Sequence, residues 1–256
     1  MLIKHIKANN KIFVQIDEDC DGYTSAALLI NYLNRLFPYF TQNNIIYRTH
    51  EFKSHGIVVE AIPQDVKLVI VPDAGSNEYD KHEELSKRGI DVLILDHHNA
   101  PMGNLPHACL INNQTCNYPN KTLSGVGVVY KFCSYLDALL GQHIADDFLD
   151  LVAVGMVADM IYLNDYETRL MVSKGMDNIK NPFVEGMVIQ NEFYLKGVLT
   201  PHGISFSIAP AVNAVARVGS MQERMTMFEA MLEFRAYELI PSTKRGEKGQ
   251  LETRVE

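Results

Sequence analysis

The chain has 256 residues, 47% of them hydrophobic and 21% charged, which allows one large domain or two small ones with a core of useful size. Its formal net charge of −8 argues against indiscriminate nucleic-acid binding. No stretch approaches the ~20 apolar residues of a membrane span, and Met1-Leu2-Ile3-Lys4-His5 has no long apolar run, so neither a membrane segment nor a signal peptide is expected. The four cysteines, Cys20, Cys109, Cys116 and Cys133, form no CxxC pair, and reduced thiols in a cytoplasmic protein are expected.

Lys11 to Ile16 reads as a strand that runs straight into Asp17-Glu18-Asp19-Cys20-Asp21-Gly22, and Tyr23 to Leu36 reads as a helix ended by Pro38. Aspartates at alternating positions 17, 19 and 21 can point one way from an extended turn. Like charges ~4 Å apart cost about 4 kcal/mol at an effective dielectric near 20. A bound Mg²⁺ or Mn²⁺ would relieve that repulsion, and a solvated acidic turn is the alternative. A calcium loop is excluded, because the twelfth position from Asp17 is Leu28 where a Glu ligand is required.

Ile45 to Thr49 is a second expected strand, followed by His50 and His55, which read as loop residues; His55-Gly56 is also placed to line a groove. Lys67 to Val71 is a third, nearly continuous apolar strand that leads through Pro72 to Asp73. Asn77 to Lys87 reads as a helix with Gly89 at its C-terminal cap. The apolar run Ile90 to Leu95 then ends on Asp96-His97-His98. Three strand-type segments thus terminate in metal-type side chains. Strands alternating with helices predict an α/β fold, a Rossmann-like, mostly parallel sheet flanked by helices, in which those strand ends share one edge.

A loop rich in Pro, Gly and Asn spans Asn99 to Asn120, with a short apolar element at 108–111. Ser124-Gly125-Val126-Gly127 opens a helix to about Leu140; its small residues suit either anion binding or close packing, and packing is the expectation. Asp146 to Met160 reads as a buried helix broken near its end by Asp159, either a solvated helix-end residue or a further ligand. Glu167 to Met176 reads as another helix. From Ile204 a strand-like apolar start leads to Asn213 and Arg217, which share a face if helical, and an Arg there can clamp a phosphate. Met221 to Leu239 reads as a helix, and the charged tail is expected to stop in mid-helix.

In order along the chain, Asp17-x-Asp19-x-Asp21-Gly22, Asp73, Asp96-His97-His98 and Val154-Gly155-Met156-Val157-Ala158-Asp159 resemble the four motifs of the DHH phosphoesterase family. Pro210-Ala211-Val212-Asn213-Ala214-Val215-Ala216-Arg217 is similar to a segment of the RecJ-like single-strand exonucleases, although Ala211 and Ala216 stand where that segment commonly has Arg and Gly. This divergence suits a phage or prophage type. The resemblance implies a DHH catalytic domain over 1–240 and, over 241–256, the start of a linker helix to a C-terminal DHH-associated domain that this sequence lacks.

The same resemblance implies two divalent ions, Mn²⁺ or Mg²⁺, with Asp17 and Asp19 on one, Asp21, His97 and Asp159 on the other, and Asp73 bridging. His98 would face the scissile phosphate, Asp96 would orient its neighbours, and Asn213 and Arg217 would grip substrate phosphate. The implied activity is 5′-to-3′ two-metal hydrolysis of single-stranded DNA to mononucleotides, with replication or repair proteins as further partners; Tyr23, Phe52 and Tyr118 are the nearby aromatic candidates for base stacking. A phosphodiesterase of short oligonucleotides or cyclic dinucleotides shares the metal motifs. A related pyrophosphatase would have His in place of Asp17, and a non-catalytic DHH-like binding module would have lost ligands that are kept here.

Overall fold

The computed structural model describes residues 1–51, 54–101, 105–242 and 249–255. The first half of the chain forms α1 (Leu2–Lys7), β1 (Lys11–Gln15), α2 (Cys20–Leu36), α3 (Pro38–Asn44), β2 (Ile45–Arg48), β3 (Val66–Pro72), α4 (Tyr79–Lys87), β4 (Asp91–Asp96) and β5 (Cys109–Asn112). The second half forms α5 (Gly125–Leu140), α6 (Leu149–Ala158), α7 (Tyr166–Asp177), α8 (Pro182–Gln190), α9 (Glu192–Leu195), α10 (Pro201–Gly203), a π-helical turn at Ile204–Ile208, α11 (Ala209–Val218) and α12 (Met221–Ala230). A short hairpin of β6 (Leu239–Pro241) and β7 (Leu251–Thr253) completes it.

The five long-range strands make one sheet in the order β2-β1-β3-β4-β5, every neighbouring pair parallel. The registers Phe13↔Ile46, Phe13↔Val69 and Val71↔Ile94 follow from alternation. Ile12, Val14, Leu68, Ile70, Leu93 and Leu95 enter the larger core, and Phe13, Val69, Val71, Val92 and Ile94 enter the smaller one on the opposite face. Burial on both faces explains why β3 is apolar from Leu68 to Val71 and β4 from Val92 to Leu95.

On the larger side α2 and α5 lie against the sheet, α6 packs on both, and α7 packs on α6. A helix so placed is buried all round. Every residue of α2 from Cys20 to Leu33 is buried, and so is every residue of α6 from Leu149 to Val157. Glycines permit the closest approaches: a Cβ at Gly175 on α7 would collide with the backbone carbonyl of Leu149 on α6. No helix of the described residues is long and apolar enough to cross a membrane.

Three expectations are corrected. The strand-like stretch from Ile204 is helical, because residues four apart, Ile204 and Ile208, are buried while Phe206 between them is 72% exposed. An alternating pattern repeats every four residues as well as every two, so the apolar run suited either structure. The helix expected over 221–239 stops at Ala230. The Met231 carbonyl accepts hydrogen bonds from the Nδ2 atoms of Asn31 and Asn181, each 2.9 Å long, and Asn31 Oδ1 accepts from Glu233 N–H at 2.9 Å. Finally, the described part of the tail forms a hairpin and not the start of a linker helix. Leu239 pairs with Thr253 and Pro241 with Leu251, and Arg254 Nε donates to Glu229 Oε2 at 2.9 Å to pin the hairpin to α12. Residues 243–248, in the middle of that expected helix, lie outside the described residues.

The Gly175→Ala variant is expected to lose about 3 kcal/mol of stability, since neither helix backbone can yield to the added methyl. A urea denaturation midpoint equal to that of the parent protein would show that α6 and α7 are not packed backbone to backbone.

Candidate metal centre

Because the sheet is parallel, β1, β3 and β4 end on the same edge, and Asp17, Asp73, Asp96 and His97 are carried there together. Asp17 follows β1. Asp19 has extended backbone and caps α2, its Oδ1 accepting the Gly22 N–H at 3.0 Å. Asp21 lies in the first turn of α2, so the three aspartates are presented by a strand end, a cap and a helical turn, not by one extended turn.

The N-terminus of α5 meets Asp21 directly. Asp21 Oδ1 accepts from Ser124 Oγ at 3.0 Å and Val126 N–H at 3.1 Å, and Oδ2 accepts from Gly125 N–H at 2.7 Å. The free N–H groups of a helix start thus hold an anion, and that anion is the protein's own carboxylate. The expectation of simple close packing is half of the answer: a side chain at Gly125 would also collide with the Asp73 carboxylate.

Asp73 sits in the left-handed region at φ 66°, a conformation unfavourable for an ordinary L residue, with its N–H held by Leu95 O at 2.8 Å. His97 Nε2 lies 3.2 Å from Asp73 Oδ1, 3.7 Å from Asp159 Oδ2 and 3.9 Å from Asp21 Oδ2. Asp159 arrives as the residue that ends α6. Potential ligand atoms of Asp21, His97 and Asp159 lie within 4.8 Å of one another, as do those of Asp17, Asp19 and Asp73.

Asp96 is turned to a different task. Its Oδ1 accepts from His97 N–H, His98 N–H and His98 Nδ1 at 2.7, 3.2 and 2.7 Å, and its Oδ2 accepts from Ser76 N–H at 3.0 Å. These donors fix the two imidazoles, and they hold the Asp96 carboxyl well below the usual carboxylate range against the opposing effect of burial.

The electrostatics are those of a cation site. Burial, then the charges of Asp21, Asp19 and Asp17, push the Asp73 carboxyl far up. Burial and the charges of Asp21 and Asp19 bring Asp159 to about 7. Burial also lowers the His97 imidazole. Asp17 differs: burial would raise it, yet the imidazoles of His50 and His55 beside it outweigh that and leave it at about 2. Asp73 Oδ1 is buried and accepts no well-formed hydrogen bond among the described residues, His97 Nε2 being close but badly aligned. An orphaned carboxylate oxygen among hard oxygen donors and one imidazole fits Mg²⁺ or Mn²⁺.

Asn213 and Arg217 reach the same place from α11. With Asp19, Cys20, Asp159 and Met160 they line a cavity of about 180 Å³. Asn213 Oδ1 accepts the Cys20 N–H at 2.8 Å, so this side chain also braces the aspartate loop, a part not foreseen for it. Arg217 is exposed beside the cavity, where its charge opposes the rise of the Asp19 carboxyl that burial and Asp21 produce.

Two residues first read as loop histidines belong here. His55 Nδ1 is 2.7 Å from Asp17 Oδ2, and buried His50 has Nε2 3.4 Å from Asp17 Oδ1. The signal that could have found them is topological: they follow β2, whose end lies on the same edge as that of β1. The aromatic candidates fare differently. Tyr23 is fully buried edge-to-face on Phe228, Tyr118 donates to Glu167 Oε1 at 2.7 Å, and Phe52 lies outside the described residues.

Two outcomes follow for the metal-free protein. Asp159 is raised from 3.8 to about 7 and Asp73 is raised well above its ordinary value, so the folded state binds more protons than the unfolded one, and stability must fall as pH rises from about 4 to about 7. Asp159→Asn is expected to flatten that slope in thermal melts. Addition of Mn²⁺ at ~100 times its dissociation constant should stabilise the parent by about 2.7 kcal/mol, and Asp73→Asn should raise the metal-free melting temperature while abolishing the Mn²⁺ increment. An unchanged Mn²⁺ increment in Asp73→Asn would remove Asp73 from the centre.

Comparison with known proteins agrees with this geometry. The DHH family, N-terminal domain, matches residues 11–156, more than half of the chain. Over 247 residues, 96% of this chain, it is 42% identical to the YorK protein of the Bacillus subtilis SPbeta prophage, provisionally named a single-strand DNA-specific exonuclease. It is 30% identical over 244 residues to the single-stranded-DNA-specific exonuclease RecJ of Bacillus subtilis. The alignments cover 42% and 30% of those two proteins, so the chain spans less than half the length of these curated relatives. Among solved structures it is similar to exonuclease RecJ bound to manganese, with a TM-score of 0.77 and 22% identity over 90% of this chain and 58% of that one. A RecJ from Thermus thermophilus in complex with Mn²⁺ gives 0.73 and 23% over 90% of this chain and 33% of that one. With its family match and its acidic strand ends, the chain belongs to the DHH family.

Proposed function

We propose that the chain is a metal-dependent phosphodiesterase unit that degrades single-stranded DNA from its 5′ end and releases mononucleotides. The observation that carries this reading is the pair of ligand sets, Asp17-Asp19-Asp73 and Asp21-His97-Asp159, gathered at one sheet edge. In this reading Asp17 and Asp19 would hold one Mn²⁺ or Mg²⁺, Asp21, His97 and Asp159 would hold the other, and Asp73 would serve both. Bound ions would supply the positive charge that a phosphodiester needs for attack by water.

The remaining work belongs to the protein's own side chains. Asp96 keeps His97 and His98 in register, leaving His98, 44% exposed at its side chain, to face the phosphate. Arg217, at the mouth of the cavity beside Asp19, is placed for a neighbouring phosphate, with Asn213 holding the aspartate loop between them. Single-stranded DNA as substrate is carried over from the names of the relatives, YorK and RecJ. A cytoplasmic location suits four unpaired cysteines, of which Cys20 and Cys133 are buried.

The test is one panel with Mn²⁺: 5′-labelled single-stranded DNA, duplex DNA, a dinucleotide and pyrophosphate. Release of labelled mononucleotide from the single strand is expected, and Asp73→Ala or His97→Ala should reduce it by at least about 10³-fold while circular dichroism stays unchanged. Hydrolysis of pyrophosphate alone, or parental turnover by Asp73→Ala, would overturn the reading.

A further inference from the structure

The loop that follows β2 is held more tightly than an idle connection needs. Ser54 N–H donates to Glu18 Oε2 at 2.9 Å, Gly56 N–H to Asp17 Oδ1 at 3.1 Å, Ile57 N–H to Glu78 Oε2 at 2.7 Å and Val58 N–H to Gln15 Oε1 at 3.3 Å. Between the first two donors, His55 Nδ1 is 2.7 Å from Asp17 Oδ2. Four side chains, from two places in the sequence, thus act as partners for five consecutive residues. Gly56 lies at φ 79°, and a side chain there would collide with the Glu78 carboxylate, so the backbone has one available path. The product of this bracing is a single imidazole fixed at the mouth of the centre, with its side chain 55% exposed.

That imidazole has a counterpart. His98 uses its Nδ1 on Asp96 Oδ1 at 2.7 Å, just as His55 uses its Nδ1 on Asp17 at the same distance. The two rings meet edge-to-face with centroids 5.2 Å apart, and His98 in turn lies 4.5 Å from His97, centroid to centroid. Two carboxylate–imidazole pairs therefore stand side by side at the metal centre. With Nδ1 committed in both, the Nε2 atoms are the ones left for a ligand, and among the described residues neither has a hydrogen-bond partner.

The geometry points to His55 as a second phosphate-contacting residue, paired with His98, so that the Nε2 atoms of both rings contact one phosphate of the substrate or product. The ligand class is a phosphate monoester or diester. Two donors on one phosphate fix its orientation as well as its position, which a single imidazole cannot do. The inference rests on the reading of this centre as a phosphate-processing metal site, and it is independent of the length of the nucleic acid.

The test exploits the two nitrogens. The amide of His55→Asn can replace Nδ1 and still hold Asp17, but it does not extend to Nε2. The amide of His55→Gln can replace Nε2 as a donor without serving Asp17. Calorimetric titration of Mn²⁺, and then of deoxythymidine 5′-monophosphate into Mn²⁺-saturated protein, is expected to give a Mn²⁺ affinity within about threefold of the parent for His55→Asn, which keeps the Asp17 contact, and a weaker one for His55→Gln, which loses it. Nucleotide affinity should fall about tenfold in His55→Asn and less than about threefold in His55→Gln. The reverse order, equal nucleotide affinity in parent and His55→Asn, or no nucleotide binding by the parent would each overturn the assignment. A parent that leaves single-stranded DNA intact yet shows the expected order would sink the exonuclease reading alone.

Discussion

The interaction on which the rest of this structure depends is the repulsion among carboxylates brought to one edge of a parallel sheet. Ligand atoms of Asp17, Asp19 and Asp73 lie within 4.8 Å of one another, as do those of Asp21 and Asp159 with His97, and burial makes the mutual repulsion of the carboxylates stronger than it would be in water. The fold answers this with fixed partial charges. The start of α5 serves Asp21, two imidazoles serve Asp17, and a backbone N–H serves Asp19. Asp73 receives no comparable partner, and its carboxylate sits between the two ligand sets. The architecture thus offsets the charges of Asp17, Asp19 and Asp21 in part and leaves Asp73 to a cation.

Close backbone approach makes that convergence possible. A side chain at Gly22 would place Cβ 2.7 Å from Asp17 Cβ, and one at Gly155 would crowd Asp21 Oδ1 at 2.8 Å. The left-handed backbone of Asp73 at φ 66°, and of exposed Met160 at φ 55° immediately after Asp159, places strain at the centre itself. The surrounding order is what sustains it: β3 and β4 are buried on both faces and α6 is buried along nearly its whole length. Stability in the layers and strain at their edge are two aspects of one design.

Much of this was legible in the sequence, for identifiable reasons. Apolar runs that end abruptly on Asp17, Asp73 and Asp96-His97-His98 announce buried parallel strands with polar tips, and the helix–strand alternation puts those tips together. Asp159 was visible as a carboxylate interrupting an apolar helix. What stayed hidden depends on partners far away in the chain. His50 and His55 have no local pattern, since their meaning comes from β2 lying beside β1. The end of α12 is decided by Asn31 and Asn181, roughly 200 and 50 residues earlier. The segment from Ile204 suited strand or helix equally until its packing was seen, and the tail hairpin is fastened by Arg254 to Glu229 on α12, which the charge pattern of the tail does not reveal.

The central claim is that the chain builds two cation sites that share Asp73. Anomalous diffraction at the manganese edge from crystals soaked in MnCl₂ tests it most directly. The account predicts two peaks about 3.5–4 Å apart, one against Asp17 and Asp19, the other against Asp21, His97 and Asp159, with Asp73 touching both. A single peak, or peaks away from the ends of β1, β3 and β4, would contradict it.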